Sequence, residues 1–242
     1  MTNRNVPQDG GGARERRRRK RRRAAGRRAG TPGTALAVLA VLGAVGLAGA
    51  VAAGRGGPEA APITDGSRRA PVTLTLYEDF RCPGCAHFEH GFGRTLRRLQ
   101  DGGRLRVEHR LVAVVDGNVG GRGSAYAANA AACARDEGRF REYRGVLFAG
   151  RPQEPDDAFG DSDRLLELAE EVEGLSGPDF TRCVREGTHL EWVERSTEAF
   201  LRAGHDSTPT VLLDGEDLFA DPAALPGPRE LEERVEAAAR TA

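Results

Sequence analysis

Two cysteines three residues apart, Cys82-Pro83-Gly84-Cys85, are the residues in this chain most able to do chemistry. The stretch before them, Val72 to Tyr77, alternates β-branched and apolar residues as a strand does. After them Phe88, Phe92, Leu96 and Leu99 follow at intervals of four, four and three, which places them on one face of a helix that Gly102-Gly103 stops. A strand that turns into a helix at a Cys-x-x-Cys gives the motif a mechanism. Helix N-termini carry partial positive charge and unpaired N–H groups, so Cys82 is expected as a stabilised thiolate and nucleophile. Cys85, one turn further in, is the expected resolving thiol, because thiol–disulfide exchange passes through a mixed disulfide that a second thiol can release. Zinc binding is the competing chemistry, since His87 and His90 lie nearby. A structural zinc site needs a second close pair of ligands, which Cys133 and Cys183 do not supply in sequence, so no metal is expected and both histidines are read as solvated.

These residues belong to a chain whose zero net charge conceals an asymmetry. Its 36 Lys+Arg balance 36 Asp+Glu, but residues 1–33 hold 12 basic and 2 acidic side chains, a net of +10 that leaves −10 for the remainder. Thr34 to Ala53 are twenty consecutive uncharged residues, enough at about 1.5 Å per residue to cross a hydrocarbon core of roughly 30 Å. The Arg16 to Arg23 cluster before this run predicts a cytoplasmic head at 1–33, a transmembrane helix or signal anchor at 34–53, and an extracytoplasmic body, in contact with a lipid bilayer and with no nucleic acid. Ala48-Gly49-Ala50 and Ala50-Val51-Ala52 fit signal cleavage, but the run exceeds the usual 7 to 15 residues of a signal core, which favours an uncleaved anchor. Residues 54–70, rich in Gly, Pro and Ala, read as a tether.

In the body, Leu105 to Val115 reads as a second strand. Helices are predicted over Ala125 to Asp136, Arg139 to Phe148, Ser162 to Val172 with Ser162 as N-cap, Pro178 to Arg185 and His189 to Ala203. Trp192, Leu190, Val193 and Leu201 read as core of the last of these, whereas His109, His189 and His205 show no partner. Thr210 to Leu213 is a short strand, Asp214-Gly215 a hairpin turn, Leu218-Phe219 the start of a returning strand, and Arg229 to Ala239 a final helix.

The stretches YEDFRCPGC and AANAAACARDEGRFREYRGVLF, with Ser207-Thr208-Pro209-Thr210 and the Val-Leu-Leu-Asp-Gly after it, resemble the extracytoplasmic thiol:disulfide oxidoreductases of the DsbA type. The resemblance covers about residues 70–240. It implies an α/β, thioredoxin-like fold over 71–240 with an inserted α-helical domain at about 122–203, and a cis Pro209 beside the cysteines. Thr208 and Pro209 would then bind an extended substrate by strand addition, with Pro83 and Gly84 forming the active-site loop. It further implies exported protein substrates, no bound cofactor, and a membrane redox partner of the DsbB or vitamin K epoxide reductase type. Within the insertion, and in an oxidising compartment, Cys133 and Cys183 are expected as a structural disulfide.

Pro-Gly stands between the cysteines where strongly oxidising members carry Pro-His, which predicts a potential below the roughly −120 mV of DsbA and above the roughly −270 mV of thioredoxin. The position six before Cys82, often acidic in thioredoxin relatives, is Leu76; Glu78 or Asp79 is the candidate substitute as proton acceptor near Cys85, with surface solvation of both the favoured reading. A reductase or isomerase, or a tethered protein-binding module without redox turnover, are the alternative readings.

Overall fold

The structure, a computed structural model, describes residues 60–153, 155–220 and 226–241. The head and the apolar run at 34–53 lie outside the described residues, among which no helix is long and apolar enough to cross a membrane.

Five strands form one sheet in the order β1-β3-β2-β4-β5. These are β1 (Ile63–Gly66), β2 (Val72–Glu78), β3 (Leu105–Leu111), β4 (Thr210–Leu213) and β5 (Glu216–Asp217). Parallel pairing of β2 with β3 is made possible by the crossover helix α1 (Pro83–Asp101), and the other pairs are antiparallel. The alternation in β2 buries Val72, Leu74 and Leu76 completely. They share a core with Phe88, Leu96 and Leu99 of α1 and with Leu231 and Val235 of the last helix, α8 (Pro228–Thr241). Asp214 and Gly215 both take positive φ, as a two-residue hairpin turn requires, and connect β4 to β5.

Between β3 and β4 run α2 (Val114–Val119), α3 (Gly123–Asp136), α4 (Phe140–Ala149), a 3-10 turn (Ala158–Gly160), α5 (Ser162–Ala169), α6 (Pro178–Glu186) and α7 (Leu190–Arg202). At the centre is α3. Its alanines 127, 128, 130, 131, 132 and 134 are all fully buried, and α4, α6 and α7 pack around it. A helix buried on every side suits small residues, which let its neighbours approach closely.

Several expectations need correction. Part of the supposed tether is β1, an edge strand whose Ile63 is buried and pairs with His109. The strand predicted to reach Val115 ends at Leu111, because the Ala113 and Val115 N–H groups donate to Thr197 Oγ1 and Asp79 Oδ2, both at 2.9 Å, and turn the chain out of the sheet. Asp161, not Ser162, caps α5, accepting from the Asp163 N–H at 2.9 Å, and that helix stops at Ala169 rather than Val172. Leu201 is 55% exposed rather than core. The returning strand is Glu216–Asp217, and Leu218 follows it with its N–H on the Val211 carbonyl.

Candidate active site

Cys82 is the N-cap of α1, in extended backbone, and Pro83 opens the helix, where a missing N–H costs no hydrogen bond. Cys85 lies one turn in and is 1% exposed, against 8% for Cys82. Both are free thiols. The peptide between Thr208 and Pro209 is cis. This loop reaches the cysteines, and the Cys82 thiol donates to the Thr208 carbonyl at 3.1 Å. Gly84 packs closely on this loop, since a Cβ on it would sit 3.1 Å from Pro209 Cδ and 3.4 Å from the Thr208 oxygen, so a side chain here would need the loop to give by a few tenths of an ångström. The structure therefore gathers Cys82, Pro83, Gly84, Cys85, Thr208 and Pro209 in one place.

The electrostatics separate the two thiols. A hydrogen bond from Cys85 lowers Cys82 from an ordinary 9.0 to about 6, with Thr208 and the Cys85 and Gly84 backbone adding to the effect against partial burial. Burial, reinforced by the neighbouring Cys82, pushes Cys85 well above 9.0. At neutral pH one sulfur is a thiolate and the other a thiol.

Directly behind the pair lie two carboxylates that the sequence reading placed in solvent. Glu78 is 1% and Asp79 0% exposed. Burial works to raise Glu78, but Arg144 and His109 override it and hold it down at about 2. Arg144 is bonded to Glu78 at 2.6 Å and also to Glu89, and His109 lies 2.8 Å from Glu78, so that histidine has a partner after all. His189 has one too, Asp136 at 2.7 Å. Asp79 meets neutral donors, the N–H groups of Arg81 at 2.8 Å and Val115 at 2.9 Å and the Ser124 side chain, and burial outweighs them, raising it to about 6. Its own N–H points at Cys85 Sγ, 3.5 Å away. Arg81, 1% exposed, ties the active-site loop to the helical segment through Asp116 at 2.7 Å and Asp157 at 3.0 Å. The only sequence signal for this layer is that three charged residues flank a strand end and a Cys-x-x-Cys.

Cys133 of α3 and Cys183 of α6 are joined, with an S–S distance of 2.06 Å. With His189 they are the set of metal-ligating residue types brought together among the described residues, within 4.8 Å of one another, and the bond between the sulfurs occupies both. His87 and His90 are exposed on α1.

A family model described as thioredoxin matches residues 59–231. The chain belongs to the thioredoxin family. Among solved structures it is similar to DsbA of Mycobacterium tuberculosis at 30% identity and TM-score 0.59, covering 75% of this chain and 99% of that one. It is also similar to DsbG, a disulfide bond oxidoreductase of the same organism, at 29% identity and TM-score 0.60, covering 75% and 93%. BdbD of Bacillus subtilis shares the fold at 20% identity and TM-score 0.61, covering 75% of this chain and 97% of that one. Comparison with curated proteins finds no match. The chain is a protein thiol:disulfide oxidoreductase.

Proposed function

We propose that this enzyme forms or exchanges disulfides in exported proteins through Cys82 and Cys85. The observation that carries the reading is the asymmetric thiol pair at the N-terminus of α1, facing the cis Thr208-Pro209 loop. In the oxidising direction a substrate thiolate attacks Cys82 Sγ of the disulfide form, and the bond to Cys85 breaks. Cys85 is a poor leaving group as a thiolate because its site disfavours charge. We assign the proton that lets it depart as a thiol to the Asp79 carboxyl, which burial raises to about 6 and whose backbone N–H lies 3.5 Å from Cys85 Sγ. The second substrate thiolate then attacks the substrate sulfur of the mixed disulfide and expels Cys82 as the stabilised thiolate. The substrate has lost two electrons and the enzyme holds them as a dithiol. In the reverse direction Asp79 accepts the Cys85 proton. Glu78 cannot serve, because Arg144 and His109 keep it ionised.

Thr208 and Pro209, both half-buried at the end of β4, offer backbone to an extended substrate beside Cys82. Cys133–Cys183 serves as a structural staple of the helical segment. The Arg cluster and the apolar run at 34–53 support a single-pass anchor with the catalytic domain outside the cell membrane, where a DsbB or vitamin K epoxide reductase type partner would remove the two electrons.

The test is oxidation of a reduced two-cysteine peptide by the purified oxidised protein. Cys82→Ser should abolish turnover with an unchanged circular dichroism spectrum, and Cys85→Ser, given oxidised glutathione in place of reduced peptide, should hold a mixed disulfide at Cys82 as the second glutathione leaves as a thiol. Turnover surviving Cys82→Ser would refute the assignment.

A further inference from the structure

Cys82 begins a stripe along α1. Ala86, His90, Arg94 and Arg97 follow it at intervals of four, four, four and three, so all lie on one side of the helix. Ala86, His90, Arg94 and Arg97 form one wall of a cavity of about 420 Å³, whose other wall is Gly145, Phe148 and Ala149 of α4, and Cys82 lies one turn beyond its Ala86 end. Glu89 also lines it, but its carboxylate is already engaged by Arg97 at 2.7 Å and by Arg144. Arg94 is exposed and has no acidic partner among the described residues, and His90 is exposed beside it. The groove is therefore cationic, with Ala86 and Phe148 as its apolar part. It stands on a chain that carries −10 outside its first 33 residues, so it is a local reversal of the field an approaching ligand meets.

We propose that this groove binds an acidic stretch of the polypeptide whose cysteine reacts at Cys82, making it a determinant of substrate choice; this rests on the redox reading above. At about 1.5 Å per helical residue, His90 and Arg94 lie roughly 12 to 18 Å along α1 from Cys82. An extended peptide advances about 3.3 Å per residue, so the recognised Asp or Glu falls roughly four to five residues from the reacting cysteine. Cationic side chains in this position steer acidic segments toward Cys82 and hold them while exchange proceeds.

The experiment compares two reduced two-cysteine peptides on the full chain. One carries Asp-Glu pairs four and five residues to either side of the cysteines, and the other carries Asn-Gln. The expected kcat/KM ratio, acidic over neutral, is about two to five at low ionic strength, the effect of one partly solvated ion pair to Arg94. It should fall toward one in about 0.5 M salt, and Arg94→Glu should bring it below one. A ratio of one in the wild type, or a preference that survives Arg94→Glu, overturns the proposal. Should neither peptide be oxidised, the redox reading fails, and anisotropy of a labelled cysteine-free acidic peptide still decides the groove. Binding lost on Arg94→Glu sustains it, and absent binding overturns it. Displacement by phosphatidylserine vesicles, with no effect of free acidic peptide, would give the stripe to a lipid surface and likewise overturn the proposal.

Discussion

The depressed Cys82 value fixes how the redox equilibrium must vary with pH. Its folded-state value of about 6 lies below the ordinary 9.0, so the thiolate stabilises the folded dithiol form fully above about 9 and progressively less as pH falls through 6. At pH 7 the ratio of the two ionisation polynomials is close to eleven, or about 1.4 kcal/mol. This is an upper figure, because the site opens to water on the Cys82 side and solvent screening reduces it. For a two-electron couple 1.4 kcal/mol corresponds to about 30 mV in favour of the reduced form. It makes the protein more oxidising than a thiol pair with ordinary values. Below about pH 6 reduction takes up two protons, and the potential falls by about 59 mV per pH unit. Between about 6 and 9 Cys82 remains ionised, only Cys85 takes up a proton, and the slope halves to about 30 mV. Glutathione retains the two-proton slope over most of this range. The equilibrium constant for reducing the enzyme with glutathione should therefore rise only about twofold from pH 5 to 6 and by up to about ninefold from pH 7 to 8. Equilibration in glutathione buffers at four pH values, with alkylation to count thiols, measures this directly, and thiolate absorbance at 240 nm gives the inflection independently. An equilibrium constant independent of pH across 5 to 8 would refute the argument that the N-terminus of α1, Cys85 and Thr208 stabilise a thiolate at Cys82.

Asp79→Asn removes the proton donor to Cys85 and should slow mixed-disulfide turnover by about 10²-fold, abolishing the limb of the rate profile near pH 6 while the 240 nm inflection of Cys82 remains; stopped-flow rates between pH 5 and 8 check it. Glu78→Gln leaves Arg144 buried with weakened compensation and should cost about 3 kcal/mol in urea unfolding. Because Glu78 is held at about 2 against an ordinary 4.5, its contribution is complete above about 4.5 and is lost as pH falls through 2, so the wild type should keep it at pH 5. Cys133→Ser combined with Cys183→Ser opens a loop of 50 residues and should lower stability by about 4 kcal/mol in the chain-entropy model, with peptide oxidation retained at 25 °C. An unchanged urea midpoint would remove the staple role.

What the sequence reveals and what it conceals follow from how local each determinant is. The alternation of β2, the four-four-three spacing on α1 and its Gly102-Gly103 stop, and the Asp214-Gly215 turn are all set within a few neighbouring residues, and each is found where the pattern places it. Thr208 and Pro209 are local signals too, although only the fold brings them 126 residues back to Cys82. β1 escapes the pattern because four residues with a single buried side chain carry no periodicity; its strand character comes from β3. Leu201 misleads because a helix near its C-terminus can carry a leucine outward with no change in spacing. Glu78 and Asp79 mislead for a stronger reason. A carboxylate is buried only when partners compensate its charge, and these partners, Arg144, His109 and the Val115 N–H, come from α4, β3 and α2.

The same two carboxylates show how one strand end can supply both rigidity and chemistry. Neighbouring residues on an extended chain face opposite ways, so Glu78 and Asp79 enter different surroundings although both are removed from water. On one side Glu78 finds a guanidinium and an imidazole. It stays charged, and it draws α4 and β3 against β2 behind the cysteines. On the other side Asp79 finds backbone N–H groups and a repelling Asp116, which stabilise the anion too weakly to offset burial. Its proton therefore comes and goes in the pH range where Cys82 ionises. Paired carboxylates whose surroundings push their values apart divide the work between them. Exchanging the roles would require moving Arg144 and His109 rather than altering either acid, since the cations, more than the carboxylates, determine which of the two can hold a proton for Cys85.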